Sequence, residues 1–224
     1  MAEKMMAESE KNRILQRRAP HLTDSRRHFT PDRETTMNRT LQFIPFRAPS
    51  DKSWPEAASL YRAAFPVKEI RSEADHLRAL DDPAFEADGI WLGETFAGLL
   101  YFWKHKEWHY IEHLAVNPEL RGCHIGSEAL AAFCNGRQVI LEIDPPEDEI
   151  SIRRLHFYQR LGFVENPHPY LHPSFQQPFE THRLVLLSYP RAIENDEARE
   201  IADFVRERVL RYSEHEHPTL PQIP

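Results

Sequence analysis

The chain has 224 residues, enough for one domain with extensions and a sizeable hydrophobic core. Its composition is typical of a soluble globular protein, and no apolar run is long enough to cross a membrane. The net charge is −7, and because residues 1–40 carry nine Lys or Arg and six Asp or Glu, the remaining chain carries −10. This balance argues against a nucleic-acid partner and favours a cationic, amine-bearing one.

The cellular compartment is predicted from the cysteines and from the N-terminus. Cys123 and Cys134 are the two cysteines, and we interpret them as reduced thiols rather than as a disulfide. The N-terminus lacks the continuous apolar segment of a secretory signal. We therefore expect a cytoplasmic protein with no membrane partner, either a monomer or a homodimer.

Three regions are predicted along the chain. Residues 1–36 are rich in charge and show no helical or strand period, which predicts a disordered or loosely helical extension. A basic arm that binds nucleic acid is the alternative for this extension, although acidic residues dilute its charge. Residues 37–190 are predicted to form the folded domain, and residues 191–224 an amphipathic helix with a loose tail.

The first half of the domain is predicted to begin with a strand over 41–46. Two helices follow, Trp54 to Phe65 with Ser53 as its N-cap, and Glu69 to Leu80. Apolar, aromatic-rich segments separated by short turns then predict an antiparallel meander. These segments are residues 89–94, 96–104 and 108–116.

The stretch that follows this meander predicts a site for an anion. Asn117-Pro118 ends the apolar strand, and a glycine-containing loop over 121–127 leads into a helix. The N-terminus of such a helix presents unpaired backbone amides and the positive end of a dipole, which suit a diphosphate. An ordinary strand-to-helix turn is the alternative.

The second half of the domain is predicted to contain two further strands and a helix. Arg137 to Asp144 reads as a strand, and Asp148 to Gly162 as a helix with Asp148 as N-cap and Gly162 just beyond its end. A short strand over 163–166, a polar loop over 167–178 and a strand from His182 to Tyr189 are predicted next. The amphipathic helix then runs from Asn195 to Tyr212, and we expect it to pack on the domain rather than to mediate self-association.

Two motifs resemble the GNAT superfamily of acetyl-CoA-dependent N-acetyltransferases. Arg121, Ile125 and Gly126 fit the family's Arg/Gln-x-x-Gly-x-Gly/Ala loop, and residues 157–163 match its Phe-Tyr-x-x-x-Gly-Phe. His124 departs from the pattern, because it replaces the middle glycine; if φ is positive there, histidine tolerates it better than most residues. Where the family often has Asn-x-x-Ala, this chain has Ser151 and Arg154.

The resemblance implies an α/β fold, with a mixed central sheet of about six to seven strands flanked by helices, here with an additional C-terminal helix. It also implies acetyl-CoA as co-substrate. The cofactor would be held by the backbone of one strand end and by the loop that follows it. The residues implied are Leu114, Ala115, Val116, Arg121, Gly122, Cys123, His124, Ile125, Gly126 and Ser127.

The resemblance implies direct attack of an amine on the thioester in a ternary complex. Glu112 is the predicted base, because it shares a strand face with Leu114 and family members commonly have a carboxylate at this part of the strand. His113 and Glu142 are the competing candidates. Tyr158 is the predicted acid, since the resemblance places its hydroxyl near the thioester sulfur.

The acceptor is predicted only as a small-molecule or peptide amine. Phe65 and Glu69 are candidate substrate contacts, because the early helices form one wall of the acceptor site in the family. Glu142 is a further candidate, since its carboxylate suits the positive charge of an amine. No metal site is predicted, since the histidines spaced by four around His109 lie in a strand-like segment. The alternative function is a catalytically weak or inactive acyl-CoA-binding sensor or interaction module on the same fold.

Overall fold

The structure is a computed structural model that describes residues 40–214. The predicted extension over 1–36, and with it the alternative of a nucleic-acid-binding arm, lies outside the described residues. So does the end of the predicted tail, from residue 215 onward. Within 40–214, no helix is both long and apolar enough to span a membrane.

The predicted strands and helices occur in the predicted order, with one further strand between the last two predicted strands. The strands are β1 Leu41–Pro45, β2 Phe85–Leu92, β3 Thr95–His105, β4 Trp108–Val116, β5 Gln138–Ile143, β6 Val164–Glu165, β7 Tyr170–Pro173 and β8 Thr181–Tyr189. The α-helices are α1 Trp54–Ala64, α2 Glu73–Leu80, α3 Ile125–Cys134, α4 Glu149–Arg160 and α5 Asn195–Phe204.

The strands form one mixed sheet in the order β1-β2-β3-β4-β5-β8-β6, and β7 pairs with the first half of β8. Every pairing is antiparallel except that of β4 with β5. This parallel pairing joins only 108–111 to 138–141, so the last five residues of β4 have no partner on the β5 side. The sheet is therefore open between the C-terminal ends of β4 and β5.

Two layers of helices cover the two faces of this sheet. Alternate residues of β3 point to opposite faces, as the strand period requires. Tyr101 and Trp103 belong to the core shared with α1, α2 and α5, whereas Leu100 and Phe102 belong to the core shared with α3 and α4. The predicted fold class is thus confirmed, with eight strands in 40–214 rather than six to seven.

The additional strand is β7, which lies within the segment predicted as a polar loop. Tyr170 and His172 of β7 are buried, and Tyr170 pairs with Leu184 in the register of β7 and β8. Flanking prolines and polar residues hide this four-residue strand from a pattern based on hydrophobicity. The prediction of an unstructured loop over 167–178 was therefore wrong at its centre.

The predicted second helix begins four residues later than expected. Ser72 is its N-cap and accepts a hydrogen bond from the amide of Asp75 at 3.2 Å, so α2 begins at Glu73. Glu69 lies instead in a single 3₁₀ turn, Val67–Glu69. Ser53 does occupy the N-cap of α1, but its Oγ accepts from Trp91 Nε1 at 2.9 Å rather than capping the helix.

The C-terminal helix packs on the domain, as the sequence predicted. After α5 the chain continues through a π turn, Val205–Val209, and a 3₁₀ turn, Leu210–Tyr212. Tyr212 stacks on Trp103 with ring centroids 5.8 Å apart. Asp82 accepts hydrogen bonds from Arg208 Nη2 at 2.5 Å and from the Tyr212 hydroxyl at 2.7 Å, which anchors the last turn to the end of α2.

Candidate active site

The opening between β4 and β5 forms a cavity of about 430 Å³, which we call the central cavity. It exists because β4 and β5 stop pairing after Ile111 and Leu141. The predicted residues that line it come from the turn after α1, both strands, the loop after β4 and α4. They are Phe65, Glu69, Glu112, His113, Leu114, Ala115, Val116, Arg121, Glu142 and Tyr158.

A second cavity of about 420 Å³, the loop cavity, lies at the start of α3. Val116 and Arg121 line both cavities, so the two are neighbours along β4 and the loop. The other predicted residues that line the loop cavity are Gly122, His124, Ile125, Gly126 and Ser127. Leu120, Phe157, Arg160 and Leu161 complete its wall.

The backbone of the loop explains why the sequence tolerates histidine at the place of a glycine. Residue 124 has φ of 63° and precedes the first turn of α3, and Gly122 has φ of 80°. A non-glycine residue in this region is uncommon, and histidine is among those enriched there. The His124 side chain is exposed, whereas a side chain at Gly126 would place Cβ 3.3 Å from Val116 Cγ2.

Glu112 is held in a buried ion pair that the sequence did not predict. Arg71, which lies just before α2, donates from Nη1 and Nη2 to the two oxygens of Glu112, and the side chains are 0% and 2% exposed. Trp103 Nε1 donates to Glu112 Oε2 at 2.5 Å, and His113 Nδ1 lies 3.1 Å from Oε1. Although burial opposes ionisation, Arg71 holds the pKa of Glu112 far below its usual range.

This environment does not favour the role of general base for Glu112, which stays a prediction. A carboxylate with a strongly lowered pKa is a weak base, and Arg71 and Trp103 already occupy both of its oxygens. Its role in this fold is to neutralise Arg71 beneath the central cavity. His113 is also engaged, since its Nε2 lies 2.9 Å from the Glu69 carbonyl oxygen.

Glu142 has the properties that Glu112 lacks. It lies on β5 immediately after the last residue that pairs with β4, and it lines the central cavity. The Tyr110 hydroxyl donates a hydrogen bond to its Oε1 at 2.9 Å. Burial raises the pKa of Glu142, which makes this carboxylate a stronger base than an exposed one.

Tyr158 lines the same cavity from α4 and carries its proton at neutral pH. Burial raises the pKa of Tyr158 to about 12. Its ring lies between Phe157 and Phe163, with centroids 5.1 and 5.5 Å away, which fixes the direction of the side chain. A half-buried phenol in this position can donate a proton to a group within the cavity.

Comparison with known proteins finds a resemblance to one family. Residues 85–165, which span β2 to β6, match the model of the acetyltransferase (GNAT) domain. This segment is similar to a GNAT acetyltransferase domain. The loop, both motifs and the opening between β4 and β5 all lie within the matched residues.

One curated protein and one solved structure illustrate the relationship. The Bacillus subtilis protein named "Putative acetyltransferase YjbC" is 29% identical over 114 residues, which are 50% of this chain and 56% of that protein. The chain thus spans about half the length of this curated relative. A solved "Putative acetyltransferase from GNAT family" from Bacteroides thetaiotaomicron is 24% identical, with a TM-score of 0.71 over 75% of this chain and 98% of that one. This likeness shows that the GNAT fold extends beyond the matched motifs.

The fold brings most of the predicted site residues together, with one exception. Phe65 and Glu69 face the central cavity, and Phe65 packs edge-on against His113 with centroids 4.5 Å apart. Burial of the Glu69 carboxyl raises its pKa, and the negative charge of Asp144 raises it further. Cys123 is exposed and lines neither cavity.

Several residues that shape the candidate site were missed from the sequence. Arg71 is separated from Glu112 by 41 positions, and no local pattern could pair them. Tyr110 lies two residues before Glu112, so both side chains point to the same face of β4. This spacing was a usable signal for the contact of Tyr110 with Glu142. His172 and Phe175 line the central cavity from the segment predicted as a loop. In the described part of the chain, no three His, Cys, Asp or Glu side chains converge on a metal-binding geometry.

Proposed function

We propose that the chain transfers an acetyl group from acetyl-CoA to a primary amine by direct attack in a ternary complex. One observation carries this proposal: the central cavity, at the opening of the sheet, adjoins the loop cavity at the start of a helix and shares Val116 and Arg121 with it. One molecule could therefore extend from an anion site to a buried reaction centre. The similarity of residues 85–165 to the GNAT acetyltransferase domain supports the same interpretation.

The cofactor would be held by backbone groups and by one positive side chain. The amides at the start of α3 are unpaired and lie at the positive end of the helix dipole, where a diphosphate is stabilised. Arg121 adds a charge beside both cavities. The pantetheine arm would pair with Leu114 to Val116, whose edge toward β5 carries no strand partner.

The reaction requires proton transfer at two atoms: the amine nitrogen loses protons, and the departing sulfur gains one. An amine is mostly protonated at neutral pH and must lose one proton before its nitrogen attacks the thioester carbonyl carbon. Glu142 provides a carboxylate that attracts the ammonium group inside the cavity. As the C–S bond breaks, Tyr158 donates its proton to the departing sulfur and is reprotonated from the new amide nitrogen.

Calorimetry with acetyl-CoA tests the cofactor site. We expect the natural chain to bind, and Arg121→Glu and Gly126→Asp to abolish binding, because each places a negative charge at the anion site. Arg153→Glu is the matched control, since Arg153 is an exposed arginine of α4 outside both cavities. His124→Gly is expected to bind at least as well as the natural chain. If the natural chain does not bind and His124→Gly does, the loop has been disabled and the proposal fails.

A panel of amines tests the transfer itself. We expect CoA release with at least one amine, and Tyr158→Phe is expected to lower turnover by about 10²-fold or more without weakening acetyl-CoA binding. Released CoA should be measured by chromatography, because the exposed Cys123 thiol would react with disulfide reagents. Binding without turnover for every amine tested would instead support an acyl-CoA sensor.

A further inference from the structure

His172 is a buried histidine in the central cavity that the mechanism has not used so far. It lies on β7, is 7% exposed, and lines the cavity together with Glu142 and Tyr158. Its Nδ1 lies 2.6 Å from the carbonyl oxygen of Pro173. This contact fixes the ring, since β7 is itself held in register by β8.

The contact with Pro173 also decides which ring nitrogen of His172 carries the proton. A carbonyl oxygen can only accept a hydrogen bond, so Nδ1 must be the donor. In the neutral imidazole the other nitrogen, Nε2, then holds a lone pair. The fold thus presents an oriented imidazole base within the walls of the cavity.

Titratable and charged groups from several elements face His172 and its neighbour Glu142. Glu142 is the carboxylate that faces it, and a protonated His172 is the strongest charged influence that lowers the pKa of Glu142. Tyr110 and Glu112 of β4 and Tyr170 of β7 face Glu142. The groups that face His172 from the far side are His182 of β8 and, behind it, Lys68.

We propose that His172 Nε2 accepts the proton that the acceptor ammonium loses, while Glu142 first holds the ammonium and then stabilises the imidazolium. This rests on the proposed function. One N–H bond of the ammonium breaks, its electron pair stays on nitrogen, and the proton forms a bond to Nε2. The free amine then attacks the thioester as described above, and the imidazolium later releases its proton to water.

His172→Asn is the sharpest variant, because the asparagine amide can still donate to Pro173 while Nε2 is removed. We expect its kcat to fall by about 10²-fold or more, with unchanged affinity for acetyl-CoA. The matched control is His168→Gln, since His168 Nε2 also lies near a carbonyl oxygen, that of Ile193 at 3.1 Å, but the residue lines neither cavity. The control should keep the turnover of the natural chain.

The pH dependence separates a base from a structural residue. With His172→Asn, log(kcat/KM) should rise with unit slope up to the pKa of the acceptor amine, because only amine already deprotonated in solution can react. Weakly basic acceptors should lose less turnover than strongly basic ones. Added imidazole should restore part of the rate in His172→Ala.

Two results would overturn the role of His172 and leave the proposed function intact. One is an unchanged kcat and pH profile in His172→Asn while Tyr158→Phe still loses turnover. The other is an NMR spectrum of ¹⁵N-histidine-labelled natural protein that places the proton on Nε2, a measurement that stays informative if the variants fail to fold. Absence of acetyl-CoA binding by the natural chain would instead refute the proposed function.

Discussion

Replacing Arg71 by methionine would test how the buried pair of Arg71 and Glu112, which forms the floor of the central cavity, stabilises the fold. The change removes the two hydrogen bonds to Glu112 and a third, from Nη2 to the carbonyl oxygen of Val209 at 3.1 Å. It also removes the guanidinium that lies 4.4 Å from the ring centroid of Phe175. Methionine retains most of the side-chain volume, so the main effect is electrostatic.

The magnitude follows from the burial of the pair. Removing one partner of a buried ion pair costs about 3–5 kcal/mol, because the other charge remains without compensation. Loss of the donor to Val209 adds about 1 kcal/mol. For a domain of this size, 1 kcal/mol corresponds to about 2–4 °C in Tm, so we expect Tm to fall by about 10 °C or more.

The contribution of Glu112 to folding stability depends on pH in opposite directions in the natural chain and in the variant. In the natural chain the folded pKa of Glu112 lies below its unfolded value, so this group contributes stability above about pH 4.3, which is lost as the pH falls. In Arg71→Met, burial is opposed only by the contacts with Trp103 and His113, and we expect the folded pKa of Glu112 to rise above the unfolded value. The deficit of the variant should therefore be largest at neutral pH and shrink below about pH 4.

A double-mutant cycle measured by urea denaturation provides the assay. Arg71→Met and Glu112→Gln are each expected to destabilise the fold, and the double variant should be more stable than their summed losses predict. Arg78→Met is the control, since the Arg78 side chain that pairs with Asp75 is 57% exposed and its loss should cost less than about 1 kcal/mol. Losses that simply add, or an Arg71→Met variant within about 1 kcal/mol of the natural chain, would refute the buried pair. Because Glu112 is not the base in this account, a folded double variant should retain turnover.

Two further changes test other parts of the fold by urea denaturation at pH 7. Asp82→Asn weakens the contacts of Arg208 and Tyr212 and should cost about 2 kcal/mol. Although burial opposes ionisation, the hydrogen bond from Arg208 lowers the folded pKa of Asp82, so this deficit should begin to shrink below about pH 4 and vanish only below the folded pKa; a deficit unaffected by pH would contradict the ionic contact. Gly98→Ala should cost about 3 kcal/mol, because the new Cβ would overlap the carbonyl oxygen of Ala115 on β4. A loss below about 1 kcal/mol would show that β3 and β4 can separate without cost.

The features that the sequence predicted well are those set by neighbouring residues. Asp148 caps α4 through hydrogen bonds from the amides of Ile150 and Ser151, both at 2.8 Å, and Gly162 ends that helix with φ of 91°. These signals act over three or four residues and were read directly. The loop that precedes α3 was likewise predicted with its unusual His124.

The features that were missed depend on contacts between distant parts of the chain. Glu112 has the position of a base, but Arg71 and Trp103 engage its oxygens, and neither contact follows from strand periodicity. His172 lies between prolines and polar residues, and only pairing with β8 turns that segment into a strand. Local patterns therefore located the glycine-containing loop, whereas tertiary packing decided which side chains of the central cavity are engaged in contacts.

The contact between Arg71 and Val209 has a consequence for how the protein is made. A chain emerges from the ribosome with its N-terminus first, and a domain folds as a unit once its elements are present. Arg71 and Trp103 emerge long before Val209 and Tyr212, their partners in the C-terminal segment. A chain stopped before residue 205 would carry the loop and the open strands. In such a chain Asp82, Trp103 and Arg71 would each lack their contacts with the C-terminal segment. The floor of the central cavity is thus completed late in synthesis.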